Sequence, residues 1–574
     1  MLLIATAGLL TASMSLVFLG GASVASAGSG AFSSKPTYGG TLTVAYPNDF
    51  ATLDPAQWND AQSLAAMQQI YDTLVEYDVN SAKLGPGLAT QWTVSSNKLT
   101  YTFYLRNAKF SNGDPVTAQD VAFSLDRVSQ PGANSPYSGF AYSDIQGFAQ
   151  VQAAPKTSAA YQTWSSNPMP LSGIKVLGPH ELSITLVHPE AYFLNDLALM
   201  VGGIQDPAVV RKFGPQDANN AYEEHAVGSG PFMLQSWTHS QRLVLVRNPY
   251  YWGHKAYLAK VVFLVDVSDQ TAYGMFERGQ IDLIVDPTTD LYQEVLANPA
   301  TKNDYHRQPW NFVAYGYLNV LKPPFNNVNV RQALNYAVNK QELIKVALGG
   351  RGYMPNDGVL PPGMPGWVNS NTPYPYNLQK AKELLAKAGY PNGGISFNFY
   401  VPADSQDEAI AAVLQQDWKQ IGVNINIKSV STAIYWTQSS PPSGGGPQSA
   451  YIAGDAAWAQ DYPDPSDFLT PLLTASGPAN DPAHTLFNKD KANYNNPEVD
   501  KLVNEANLLP PSQDATRWKL YDEAQAIIEK DAPWIFEYFG VQDALIYPTV
   551  GPSNINLYLH PVKAMQLQYV WVAK

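Results

Sequence analysis

Cysteine is absent from all 574 residues. That absence excludes disulfides, thiolate nucleophiles, zinc-thiolate sites and a lipid anchor on cysteine. Charge is sparse: 14% of residues are charged, with 35 Lys and Arg against 48 Asp and Glu, and the formal net charge is −13. A polyanion would be repelled, so nucleic acid is not an expected partner. Long apolar runs are confined to the start. "MLLIATAGLLTASMSLVFLGGASVASAGSG" (1–30) carries no charge and ends its apolar part before Ala25-Ser26-Ala27, an A-x-A cleavage pattern. It is expected to be an export signal, with an uncleaved anchor as the alternative. No second run of ~20 apolar residues follows.

Catalytic patterns are missing as well. None of the eight histidines forms an H-E-x-x-H pair; His225 follows Glu223 and Glu224 without a second histidine nearby. G-x-S-x-G and the phosphate-binding G-x-x-x-x-G-K-[ST] pattern do not occur. Ser95-Ser96-Asn97-Lys98 matches S-x-x-K but sits in a turn between strands, so chance is the better reading. The expectation is a protein that is not an enzyme and needs no cofactor.

What is present is enough for several cores: 45% hydrophobic and 12% aromatic residues, in a length that suggests two to four domains at ~100–200 residues each. Beyond Ser34, β-patterned runs alternate with amphipathic helices. "NKLTYTFYLR" (97–106) alternates as a strand, and "TAQDVAFSLDRV" (117–128) is a helix with Thr117 as N-cap and Val121, Leu125 and Val128 on one face. Gly228 and Gly230 are expected to supply backbone angles that other residues avoid. Asn329 is a candidate N-cap, and "SSPPSGGGPQS" (439–449) reads as a loop. The mixture indicates an α/β fold with mixed sheets.

One stretch stands out. "WAQDYPDPSDFL" (458–469) sets Asp461, Asp464 and Asp467 beside Pro463 and Pro465, which rule out ordinary secondary structure. Its D-x-x-D-x-x-D spacing could serve calcium, but the alternating ligands of an EF-hand loop are missing, so no metal is expected.

Segments along most of the chain resemble the family 5 extracellular solute-binding proteins of bacterial ABC transporters, the oligopeptide- and dipeptide-binding group. The blocks that carry the resemblance are "TLDPA" (52–56), "IYDTLVEYD" (70–78), "LATQWTVSSNKLTYTFYLRNAKFSNGDPVTAQDVAFSLDRV" (88–128), "VGSGPFML" (227–234), "LVRNPYYWG" (245–253), "FERGQIDL" (276–283), "PPFNNVNVRQALNYAVNKQELI" (323–344), "LPPGMPGW" (360–367), "AKELLAKAGYPNG" (381–393) and the 458–469 stretch. Their order matches the family from about residue 38 onward.

The resemblance implies a two-lobed periplasmic-binding-protein-like fold of type II, with a subdomain inserted in the first lobe and two hinge crossings. Placed on this chain, residues 1–27 are the export signal and 28–37 a linker. Lobe I is 38–80, 200–310 and 540–574, the inserted subdomain is 81–199, and lobe II is 311–539. The crossings are "FVAYGYLNV" (312–320) and "WIFEYFGVQDAL" (534–545). The implied function is capture of peptides outside the cytoplasm by a monomer that delivers them to a membrane permease with its ATPase. The membrane is touched only through that transporter or an uncleaved anchor. Other members hold oligosaccharides, nickel complexes or haem, so an oligosaccharide is the second reading and a secreted hydrolase the third.

By the same resemblance, Asp461 receives the peptide's α-ammonium, Trp458 lines the pocket, and the backbone of Ala457 and Ala459 pairs with the ligand's main chain as an added strand would. Asp464 and Asp467 would brace the loop and the helix starting near Ser466. Tyr137, in "SPY" (135–137), is a further lining candidate. Arg351, in a loop after a long helix, is a candidate for the peptide carboxylate, and Arg331 is expected to pair structurally.

Overall fold

The computed structural model describes residues 35–573 apart from 59, 80, 82, 215–220, 357, 368–372, 440–450, 476–491 and 560–564. The expected export segment and the 439–449 loop beyond Ser439 lie outside the described residues. No helix among the described residues is long and apolar enough to cross a membrane.

Ten strands form the main sheet. In chain order they are β1 (Thr41–Ala45), β2 (Phe232–Thr238), β3 (Arg242–Arg247), β4 (Lys260–Leu264), β5 (Leu283–Val285), β6 (Tyr305–Leu318), β7 (Ile395–Pro402), β8 (Val423–Val430), β9 (Ala453–Ala459) and β10 (Trp534–Ile546). Across the sheet the order is β8-β7-β9-β6-β10-β5-β1-β4-β3-β2. The two longest strands, β6 and β10, run antiparallel at the centre and join the two halves. β6 starts at Tyr305, well before the expected 312, because Tyr305–Pro309 pair with Leu545–Val541. Polar His306, Arg307 and Gln308, followed by Pro309, hide that part of the strand from a hydrophobicity pattern. The register shifts between Pro309 and Val313, so the ladder is broken where the halves meet.

The cores follow the same division. One gathers residues from the first 265, such as Leu42, Phe103, Leu125 and Phe263, with Ala544 and Leu567 from the end of the chain. A smaller one holds Phe276, Leu291, Tyr305 and Leu545. Two more lie on either side of the other half-sheet, around Leu334, Phe397 and Trp418 and around Phe468, Val503 and Trp534. Tyr462 is the one residue between 312 and 539 that the described residues place in the first core. A separate four-stranded sheet is built from 89–94, 100–105, 174–178 and 181–185. Its strand Thr100–Leu105 buries Tyr101, Phe103 and Leu105 and leaves the alternate residues half-buried, as its alternation requires.

Local chemistry sets the element ends. The helix Ala118–Val128 begins at Thr117, whose N–H donates to Asp120 Oδ2 at 2.8 Å. The helix Val328–Ala337 is capped by Asn327, which accepts from Asn329 N–H at 3.0 Å, so the cap lies two residues before the expected Asn329. Gly228 and Gly230 do not have positive φ angles. They are small because a side chain there would meet the carbonyls of Ile70 and Gln69 at 2.2 and 2.7 Å. Arg331 is structural, donating to the carbonyls of Phe325, Asp531 and Ala532 rather than to a carboxylate.

Candidate functional site

The site grows from the end of β9. Along its length β9 pairs with β6, and the pairing continues one residue further, where Gln460 N–H donates to the Asn311 carbonyl at 2.9 Å. In an antiparallel ladder, backbone groups alternate between the two edges. With Gln460 facing β6, Trp458 and Ala456 also face β6, and the N–H and C=O groups of Asp455, Ala457 and Ala459 face the opposite edge. On that edge β7 meets β9 at Gly454 alone. Beyond it no strand among the described residues covers β9, and Ala457, Trp458 and Ala459 are half-buried.

The loop then turns on its carboxylates. Asp461 N–H donates to Asp467 Oδ2 at 2.9 Å. Asp464 Oδ1 accepts from Ser466 N–H at 3.0 Å and from Ser466 Oγ at 2.8 Å, which starts the helix Ser466–Leu473. Its other oxygen accepts from Arg517 Nη2 at 2.7 Å, an ion pair whose side chains are 5% and 2% exposed. Asp464 is thus engaged by Ser466 and Arg517, while Asp461 and Asp467 neighbour one another. Asp467 lies in the first turn of its helix, where a negative group is favoured. Burial, and then the neighbouring Asp461, push its carboxyl well above the usual range, while the Trp458 indole acts in the opposite direction.

The other wall comes from residues 58–192. Tyr137 lies beside the Asp461 carboxylate, and burial followed by that negative charge pushes its phenol well up. Its ring stacks on Trp58 with centroids 4.5 Å apart and the planes 14° from parallel. Tyr462 crosses from the loop to this wall, stacking on Phe140 at 5.6 Å and Tyr192 at 5.5 Å. Ala191 N–H donates to the Asn507 carbonyl at 2.9 Å, a second bridge between the halves. The site is thus a cleft lined from both sides, acidic on the loop and aromatic opposite.

The structure brings Asp461, Trp458, Ala457, Ala459 and Tyr137 together. Arg351 is held elsewhere: its Nε donates to Asp543 Oδ2 at 2.6 Å, and Arg307 takes the other oxygen at 3.0 Å. The pair of arginines clamps β10 where it passes β6, beside Tyr292. Sequence reasoning missed Tyr462, Tyr192, Phe140 and Trp58. Their meeting depends on how the halves dock, and no spacing in the chain signals it.

Comparison with known proteins fits this geometry. The family model "Bacterial extracellular solute-binding proteins, family 5 Middle" matches residues 83–480. Heme-binding protein A of Haemophilus influenzae is 30% identical over 498 residues, covering 85% of this chain and 84% of that protein. The periplasmic oligopeptide-binding protein OppA of Salmonella typhimurium is 28% identical over 521 residues, covering 88% of each. The solved structure of the periplasmic binding protein DppA from Helicobacter pylori, in complex with the peptide STSA, aligns with a TM-score of 0.72 at 27% identity, over 94% of this chain and 99% of that one. The fold is that of a two-lobed type II periplasmic binding protein, α/β with mixed sheets. The chain belongs to the bacterial extracellular solute-binding proteins of family 5.

Proposed function

We propose that this chain captures peptides between its two lobes, outside the cytoplasm, and hands them to the permease and ATPase of an ABC importer. The observation that carries the reading is the uncovered edge of β9, which leads directly to Asp461. A peptide laid along that edge offers its main chain to Ala457 and Ala459, and its free α-ammonium arrives at a carboxylate on a proline-stiffened loop. A charge-assisted hydrogen bond of this kind contributes ~1.5–3 kcal/mol net. Backbone recognition gives affinity while tolerating many side chains. Trp458 and Tyr137 close the pocket around the amino end. A haem would bring its own carboxylates toward Asp461 and Asp467, so the acidic loop favours an ammonium over that cargo.

In this account lobe I is 38–80, 200–310 and 540–574, the inserted subdomain is 81–199, which shares the first core with lobe I, and lobe II is 311–539, a division that the separate cores around Leu334 and Phe468 support. Residues 1–27 serve as the export signal in this account, and the mature protein acts as a monomer. No reaction is assigned to it; the ligand leaves as it arrived. The test is a thermal-unfolding panel with di- to pentapeptides, cello-oligosaccharides and nickel. A ligand at 100 times its Kd stabilises by ~2.7 kcal/mol. Peptides are expected to raise Tm, and Asp461→Asn to lose most of that rise. A rise with oligosaccharide or nickel alone would overturn the reading.

A further inference from the structure

The cleft holds more carboxyl groups than one α-ammonium can pair with, and burial pushes those of Asp196, Asp467 and Glu190 well above the usual range. Asp196 closes the short helix Phe193–Asp196, is 0% exposed, and has no hydrogen-bond partner on either carboxylate oxygen among the described residues. Its place is fixed by Tyr192, one turn earlier, whose carbonyl accepts from Asp196 N–H at 3.2 Å and whose ring stacks on Tyr462, the residue after Asp461. Asp461, Asp464 and Asp467 all lie within electrostatic reach of Asp196. Behind it Asp144 and Glu190 are also buried. Among the described residues, Arg517 pairs with Asp464 and His188 lies 3.0 Å from Asp144. The charge of Asp196 helps to raise the phenols of Tyr77, Tyr142, Tyr192 and Tyr462. A buried carboxylate persists only if it is protonated or paired.

We infer that the pocket selects peptides whose first residue has a cationic side chain, the α-ammonium going to Asp461 and the side-chain ammonium or guanidinium to Asp196. The inference rests on the peptide-binding reading above. A lysine or arginine stem is apolar and suits the rings of Phe140, Tyr192 and Tyr462, while its head supplies the charge that Asp196 lacks. Because Asp196 and Asp461 stand on opposite lobes, such a residue also offsets the repulsion that builds as the lobes approach.

The test is calorimetric titration of the wild-type protein with Lys-Ala-Ala and with norleucine-Ala-Ala, which keeps the apolar stem and omits the charge. The lysine peptide is expected to bind ~10-fold tighter or more. In Asp196→Asn the two affinities should converge. Equal affinities in the wild-type protein would overturn this inference and leave peptide binding intact. Failure of both peptides to bind would overturn the peptide reading, and this inference with it. A lysine preference that survives in a folded Asp196→Asn protein would remove Asp196 from the role. Should that variant not fold, the wild-type pair of peptides decides alone.

Discussion

Asp464 and Asp461 are three residues apart and serve different ends. Asp464 ties the loop down through Arg517, and Asp461 is held at the cleft by Asp467, with Tyr137 beside it. Removing Arg517 strands a buried carboxylate, so Arg517→Ala should lower stability by ~3–5 kcal/mol in urea unfolding and loosen the loop enough to weaken peptide binding. A quieter buried acid gives a pH prediction. Asp126 is 8% exposed; burial raises its carboxyl from 3.8 to about 7 even though Leu171 N–H donates to it at 2.8 Å. The folded state therefore holds this proton to higher pH than the unfolded chain does. Its contribution to stability falls as pH rises from about 4 to about 7 and stays low above that. Asp126→Asn should gain on the wild-type protein in urea unfolding at pH 8 and not at pH 4. Asp461 and Trp458 were legible from the sequence because the motif that holds them is contiguous. Arg351 was not, since its partner Asp543 lies far along the chain and no local pattern joins them.

Elements with one clear period were legible, and those defined by partners were not. The strand Thr100–Leu105 and the Thr117-capped helix follow directly from alternation and capping chemistry. The early start of β6 does not, because His306–Pro309 become strand only through pairing with β10. The reason for the glycines at 228 and 230 is hidden in the same way: the carbonyls they admit belong to a helix end more than a hundred residues away. β9 carries the same kind of constraint at Gly454, its contact with β7. A side chain there would sit 2.6 Å from the Tyr400 carbonyl oxygen, a backbone atom that cannot swing aside. Gly454→Ala should therefore destabilise by ~1–3 kcal/mol in urea unfolding and displace the ligand-facing edge of β9 with it.

For the molecule as a whole, the proposed function makes binding and closure one event, because the residue after Asp461, the proposed receiver of the peptide's ammonium, is the one that reaches the opposite lobe. Tyr462 is 1% exposed and stacks on two rings of the other side. Each such pair contributes ~0.5–1.5 kcal/mol beyond burial, so Tyr462→Ala should weaken peptide binding on the order of tenfold or more. Small-angle scattering of that variant should show less compaction on adding peptide than the wild-type protein shows. The shifted ladder between β6 and β10 at the centre of the sheet is where a rotation of the halves would need least repacking. The most direct test of the account compares trialanine with its N-acetylated form by calorimetric titration of the wild-type protein. Acetylation removes the positive charge and keeps the backbone, so affinity should fall by ~10- to 100-fold. Equal affinity for the two would contradict the assignment of Asp461 to the peptide's amino end.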